Sequence, residues 1–509
     1  NGHVAYKSRY TMQFSVRADG DSKFGPKNKW AYFPAISGRW NIIDEPFMKP
    51  LRKVVSMLAF RPGWGIVGNA PSDESLFYEA YKKGGIYGPG SGQSTNYVER
   101  LKLDDLKWER TTSYNIGFNL GLLDDKIEAE FDYYYKTTKD LLMKNVKVPS
   151  STGYSSLAWA NVGEMTNEGW ELNINFNNII KTGKFSMSAY ANVSQNYNEI
   201  SKMEDNVLES VNATWSASNG TYLNRVQIGN PLGSIYGYRY KGVYNYTYEG
   251  MYKQFDIYER NNPGANFETW LNNEFLGKGL TAPIVTDANG KAVLNGDGTP
   301  KEMVFDYSGV NYKFKGGDAI YEDINHDGQI NQLDVVYLGN SLPKVNGGFG
   351  FTFKYDRFTL RTSFNCRFGN KVVNMARMNL ESMHSTMNQT SSVNYRWRKD
   401  GDGTEGNVLP RALYGKSTAY NWLGSDRYVE DASFVRFQYV QLTYDLPKTL
   451  CKHFGLNTLK IYASANNLYC WTKYSGTDPE HSQSGWNYAA DNAKTPRSKS
   501  FTVGLNVAF

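Results

Sequence analysis

The sequence predicts an all-β chain, the wall of a transmembrane antiparallel β-barrel with long extracellular loops, and three observations carry that expectation. Period-two alternation of apolar and polar residues recurs from one end of the chain to the other. Short turn-forming connectors alternate with long polar ones, as expected when turns lie on one side of a membrane and loops on the other. Aromatic residues make up 15% of the 509 residues, and 48 Gly stand against 17 Pro, a β-rich profile. No stretch approaches the roughly 18 consecutive apolar residues that a spanning helix needs. The mean hydropathy of -0.57 suits a water-soluble chain. It also suits a barrel, because only every second strand residue is apolar and polar loops lower the mean.

Taken in order, the strands are legible one by one. The connector Leu123-Asp124-Asp125-Lys126 opens a strand in which Ile127, Ala129, Phe131 and Tyr133 oppose Glu128, Glu130 and Asp132. Trp170, Leu172, Ile174 and Phe176 oppose Glu171, Asn173, Asn175 and Asn177. After the tight connector Lys181-Thr182-Gly183-Lys184, Phe185, Met187, Ala189 and Val193 oppose Ser186, Ser188, Tyr190 and Asn192. In 358–368, Phe358, Leu360, Phe364, Cys366 and Phe368 oppose Arg361, Ser363, Asn365 and Arg367, and two arginines on one face imply water there. Segment 434–444 changes phase between Tyr439 and Val440, which predicts a bulge. Leu459, Ile461, Ala463 and Ala465 oppose Lys460, Tyr462, Ser464 and Asn466. The last strand sets Phe501, Val503, Leu505, Val507 and Phe509 against Thr502, Gly504, Asn506 and Ala508. These strands are expected to be about ten residues long. The connectors near 66–107, 200–235, 245–345 and 375–425 are too long for turns and read as external loops.

For any single strand a soluble β-sandwich is the simpler explanation. Strand after strand with Arg, Glu and Asn on one face favours a wet lumen. Aromatic clusters at strand ends, Tyr133-Tyr134-Tyr135 and Tyr469-Cys470-Trp471, suit a girdle at a membrane interface.

Several function classes are disfavoured. The formal charge of +6 is small and dispersed, so nucleic-acid binding is not suggested. Cys366, Cys451 and Cys470 form neither a disulfide framework nor a CxxC site. No GxSxG, HExxH or P-loop is present, and His3, His326, His384, His453 and His481 are scattered, so no enzyme is expected. The chain opens on strand-like sequence without a charged and then apolar leader, and Asn1 is expected to be a cut end.

Short motifs spread over nearly the whole chain, in family order, then carry a resemblance. Arg9-Tyr10-Thr11, Arg17-Ala18-Asp19-Gly20-Asp21-Ser22-Lys23-Phe24-Gly25, Trp30-Ala31-Tyr32-Phe33-Pro34 and Gly65-Ile66-Val67-Gly68-Asn69 resemble the barrel signature of SusC-like TonB-dependent transporters of Bacteroidetes. Trp108-Glu109-Arg110-Thr111 and Gly229-Asn230-Pro231-Leu232-Gly233-Ser234-Ile235-Tyr236-Gly237-Tyr238 are similar to further family motifs. So are Gly339-Asn340-Ser341-Leu342-Pro343, Tyr428-Val429-Glu430-Asp431-Ala432-Ser433-Phe434-Val435-Arg436 and Ala465-Asn466-Asn467-Leu468.

The resemblance implies a bacterial outer-membrane importer of a glycan or an oligopeptide, driven through the TonB complex and covered by a SusD-like lipoprotein lid. It also implies a dimer of the transporter–lid pair and contact with outer-membrane lipid. Family barrels have 22 strands, of which roughly 14 are countable here, so residues 1–509 are expected to supply roughly the last two thirds of the barrel. The family's TonB-contacting segment, plug and first strands are not matched. Unpaired edges in lipid leave backbone groups unsatisfied, so another polypeptide or a preceding half is expected to close the sheet. A scaffolding barrel without transport is the alternative reading.

Within the loop region 245–345, residues 323–334 have the spacing of a calcium loop. Asp323, Asn325 and Asp327 stand at positions 1, 3 and 5, Gly328 permits the turn at 6, and Gln329 offers its carbonyl at 7. Asn331 and Asp334 complete the set, with Asp in place of the usual Glu at 12. A structural calcium that stiffens the loop is expected, the alternative being a solvated Asx-rich turn without metal. Phe509 resembles the terminal aromatic signal read by the outer-membrane assembly machinery, which also suggests an intact C-terminus. Trp159, Trp215, Trp270, Trp397, Trp422 and Trp486 lie in long loops, able to stack on sugars or to pack loops together.

Overall fold

Thirteen strands join into one antiparallel sheet in which each strand pairs only with its neighbours along the series. They are β1 (Gly2–Tyr6), β2 (Tyr10–Gly20), β3 (Trp30–Asn41), β4 (Val55–Asn69), β5 (Glu109–Leu122), β6 (Ile127–Lys139), β7 (Gly163–Thr182), β8 (Phe185–Met203), β9 (Val345–Tyr355), β10 (Phe358–Phe368), β11 (Phe434–Asp445), β12 (Thr458–Thr472) and β13 (Ser500–Ala508). This computed structural model describes all residues except 88–92, 149, 206, 209–211, 213–221, 223–225, 308–309, 404–407, 416–419 and 484–486. Among the described residues β1 and β13 do not pair with each other, so the sheet has two free edges.

Turns and loops sort to opposite ends. Leu122 faces Ile127 across the predicted turn, where Leu123, Asp124 and Asp125 all have positive φ (56°, 56° and 59°). Thr182 faces Phe185 across Gly183, whose φ of 57° suits a residue without a Cβ. Tyr355 faces Phe358 across a two-residue turn at the same end. The other end carries 70–108, 140–162, 204–344, 369–433 and 473–499.

The register places every predicted apolar set on one face. Phe501, Val503, Leu505 and Val507 are 75%, 78%, 62% and 43% exposed, not folded into a soluble core. Tyr6, Tyr10, Tyr355 and Phe358 are exposed on this face near the turn end, and Tyr114, Tyr133, Tyr135, Tyr469 and Trp471 near the loop end. Two aromatic bands flanking an apolar belt match an interfacial girdle. Tyr134 departs from the expected cluster by facing the other side, where its hydroxyl donates to Asn196 (2.8 Å).

Among the described residues the sheet has 13 strands, in line with the rough count of 14. Three expectations need correction. β7 and β8 run to 20 and 19 residues, not ten, because they continue beyond the apolar belt to support the loops. The bulge falls between Phe437 and Tyr439, earlier than predicted; Phe437 pairs with Phe364 and Tyr439 with Ser363, so the extra residue is Gln438. The loop at 245–345 is also continuous with 204–244. Helix α1 (Tyr248–Asn261) lies within it, its first turn capped by the Thr247 hydroxyl accepting from Gly250 N–H (2.9 Å).

The buried core is above the sheet. Of the largest fully buried side chains, Trp422, Tyr238, Tyr428, Phe275 and Phe305 belong to the loops, and only Ile200 and Phe434 sit on wall strands. Met251 of α1 packs with Trp270 and Phe275, while Phe305 and Ile330 pack with Tyr238 and Tyr420. The long loops therefore form a folded cap with its own apolar interior. Among the described residues no helix is long and apolar enough to cross a membrane.

Candidate functional site

Along β2, β6, β7 and β10 the inner face of the wall is polar, and apolar inner side chains such as Phe33 and Phe434 are buried toward the loop end. β6 and β7 turn Glu128, Glu130, Asp132 and Glu171 inward, with Asp132 directly opposite Glu171. Arg61 on β4 crosses β5 to meet this acidic stripe, its Nη2 donating to Glu130 (2.7 Å) and Asp132 (2.8 Å). Gly117 leaves the passage open, since a Cβ there would lie 2.4 Å from Asp132 Oδ1 and 2.9 Å from Arg61 Nη2. β10 and β11 contribute Arg361, Arg367 and Arg436 to the same inner face. Gln13, Ser15, Ser37, Ser113 and Asn115 line a recess of about 320 Å³ on the wall. Such a surface holds water and polar solutes in a way that a packed soluble core does not.

At the loop end, Arg436 is buried and anchors the 473–499 connection. It meets Asp478 at 2.7 Å, while Arg497 and Arg367 hold Glu480 at 2.7 and 3.5 Å. Burial alone would raise the Asp478 carboxyl, but the Glu480 N–H and the Arg436 guanidinium hold it below its ordinary value. Glu430 behaves alike: burial opposes, yet Ser475, Arg377 and Asn374 keep its carboxyl low.

Between the 204–344 and 369–433 loops lies a cavity of about 890 Å³, lined by Lys241, Asn245, Thr281, Arg377, Glu381 and Arg427 among others. Arg427 stacks over Tyr240 at 4.7 Å and reaches Glu381 at 3.6 Å. Mixed donors and acceptors on a rigid frame can hold a polar ligand by hydroxyl or carboxylate contacts.

The predicted calcium loop is folded on its own side chains. Asp323 Oδ2 accepts from Gly328 N–H (2.8 Å), and Gly328 has a φ of 85°. Asp327 accepts from Asn325 Nδ2 and from Gln329 N–H (2.8 and 2.7 Å). Asn331 Oδ1 accepts from Leu333 N–H (2.8 Å), and Asp334 accepts from Ile324 and Asn331 N–H (2.8 and 2.9 Å). Burial pushes the Asp334 carboxyl up to about 6; Asp323 and Asp327 add to the push and the two N–H donors oppose it. Among the described residues no three Asp, Glu, His or Cys side chains gather closely enough to enclose a metal.

The loop tryptophans pack. Trp422 and Trp270 are 1% and 5% exposed inside cap clusters, which closes them to ligand. Trp159 donates its indole N–H to Asp73 (2.9 Å) and Trp397 to the Asn245 carbonyl (3.0 Å). Trp215 and Trp486 lie outside the described residues. Phe509, beyond β13, is 87% exposed.

A family model described as TonB dependent receptor-like, beta-barrel, matches residues 2–319, more than half of the chain. The chain belongs to this receptor family. TonB-dependent receptor P39 of Formosa agariphila is 31% identical over 520 residues, covering 99% of this chain and 45% of that relative. TonB-dependent receptor SusC of Bacteroides thetaiotaomicron is 27% identical over 514 residues, covering 99% of this chain and 42% of SusC. The TonB-dependent receptor chain thus spans less than half the length of the curated relatives it matches. The structure of the RagAB peptide transporter shares the fold, with a TM-score of 0.69 at 21% identity over 100% of this chain and 47% of that one.

Membership of the TonB-dependent receptor family places the chain in the bacterial outer membrane, and the relatives it matches are described as receptors, not enzymes. Sequence reading missed three features of this receptor chain: the Arg61 crossing, the Arg436 anchor and the cap cavity. The only advance signal was charge on the polar face of a strand. Partners such as Arg61 and Glu130, 69 residues apart, become neighbours only through strand order.

Proposed function

We propose that the chain forms the wall and extracellular cap of an importer that carries a bulky polar nutrient, an oligosaccharide or an oligopeptide, across the outer membrane. The observation that carries this reading is one sheet with an apolar outer face, a charged inner face and a folded cap over one end. Outward hydrocarbon contact and a wet lumen are what a passage for polar cargo requires. Energy would come through the TonB complex, and a surface lipoprotein lid would meet the cap. In support, SusC is a TonB-dependent receptor, and RagAB is described as a peptide importer with open-open and closed-closed states. A polar cap cavity with paired Arg and Glu suits either cargo, since both offer hydroxyls, amides or carboxylates. The free edges of β1 and β13 would be paired by further strands of the same barrel, because lipid leaves bare strand edges unsatisfied.

Uptake of fluorescently labelled oligosaccharide and oligopeptide pools into cells producing the intact receptor tests the reading. Uptake of one pool should depend on both the receptor and an energised TonB complex. Normal assembly of the receptor with no TonB-dependent uptake of either pool would overturn import and favour a scaffolding barrel.

A further inference from the structure

We propose that residues 323–334 bind calcium and that the ion locks the apolar core of the cap. The inference is independent of the cargo and of import itself. Its starting point is one atom. Asp323 is 8% exposed, and while Oδ2 accepts from Gly328 N–H at 2.8 Å, Oδ1 is buried without a hydrogen-bond partner. A carboxylate oxygen withdrawn from water and left unpartnered is costly, and a cation is the natural remedy. Its sister oxygen is held by the Gly328 N–H within the same twelve-residue turn, so the Asp323 carboxylate lies against the loop's own backbone.

The surroundings supply oxygen, and the loop's carboxylates are not ion-paired. Three carboxylates, Asp323, Asp327 and Asp334, fall within twelve residues, and among the described residues none is in an ion pair with Lys or Arg. Lys301 approaches, but gives its ammonium to the Asp327 carbonyl oxygen (2.9 Å) and not to a carboxylate. An all-oxygen set with carboxylates at positions 1, 5 and 12 selects a hard cation. Its irregular geometry suits calcium better than magnesium, which demands a near-ideal octahedron. Both oxygens of Asp334 already accept backbone N–H groups, so Asp334 pins the two ends of the loop. Asp327 and Asn325, on the exposed rim, would close onto the ion.

The loop is wired to the core beneath it. Ile330 is fully buried and pairs with Phe305, and Tyr238 donates its hydroxyl to the Asn331 carbonyl oxygen (3.0 Å). Fixing the loop therefore fixes the packing of both.

The test uses the intact receptor in detergent, stripped with chelator and titrated with calcium or terbium. Calcium should raise the cap's melting temperature saturably. Terbium should luminesce on tyrosine excitation through Tyr238 and be displaced by calcium before magnesium. Asp323→Asn and the rim variant Asp327→Asn should each weaken binding by about tenfold or more while melting like the parent in chelator. Asp327→Asn keeps the test valid if Asp323→Asn fails to fold. A parent with no calcium-dependent shift, terbium that magnesium displaces as readily, or undiminished affinity in Asp327→Asn would overturn the site.

Discussion

Arg411 reaches from one cap loop into the core of another. Its Nε meets Asp318 at 2.6 Å, where Asp318 is fully buried, and Tyr312 and the Lys315 N–H complete the carboxylate's partners at 2.8 Å each. A buried pair of this kind adds little over an apolar pair, but removing one member strands the other. Arg411→Ala is therefore expected to cost about 3 kcal/mol in the cap while the wall stays folded. Limited proteolysis would then cut the 204–344 loop at temperatures where the parent resists, and unchanged resistance would refute the estimate. Arg61 is more open to water, and its bonds to Glu130 and Asp132 place a positive charge beside an acidic stripe in which Asp132 and Glu171 face each other across adjacent strands, an arrangement that like charges oppose.

The strands repeat one rule, in which each residue's neighbour faces a different solvent. On β9, Phe351 lies midway along the outer face beside Phe349 and Phe353, and Thr352 faces the lumen. Phe351→Arg should cost about 2 to 4 kcal/mol when the receptor folds into lipid vesicles, against less than about 1 kcal/mol for Thr352→Arg. Equal costs in urea titrations would remove the assigned faces. This rule made β6, β10 and β13 legible in the sequence, because two solvents wrote two alternating compositions. It failed at the upper halves of β7 and β8. On β8, Asn198, Ile200 and Met203 are buried against the loops while Asn196 is exposed, so loop contacts and not two alternating solvents set the composition there. The bulge at Gln438 was visible as a phase change yet misplaced, since a run of Phe437-Gln438-Tyr439-Val440 can shift phase at more than one residue. The spacing of 323–334 could be read because its side chains are local in sequence. The cap cavity could not, because Lys241, Arg377 and Arg427 meet only once two loops have folded together.

Across the whole molecule, the last loop is held to the wall by carboxylates with lowered pKa values. Asp478 leans on Arg436, and Glu430 accepts from the Ser475 N–H at 2.9 Å. A carboxyl lower in the folded state stabilises above its unfolded value of about 4 and loses that contribution as pH falls through it toward the folded value. Hydrogen exchange in 473–499 should therefore stay slow from pH 8 to about 5 and accelerate below about 4. Acceleration that begins above pH 6 would point to other groups.

The cap's two largest loops are sewn to each other by backbone. Tyr238 N–H donates to the Gly424 carbonyl oxygen (2.9 Å), Asp426 N–H returns to the Tyr238 carbonyl oxygen (3.0 Å), and the Tyr222 hydroxyl donates to the Ser425 carbonyl oxygen (2.8 Å). Stitches that span two distant stretches of chain cannot be undone one flap at a time. If the import reading holds, a large solute arriving from above would meet this roof as a single plate and not as separate flaps.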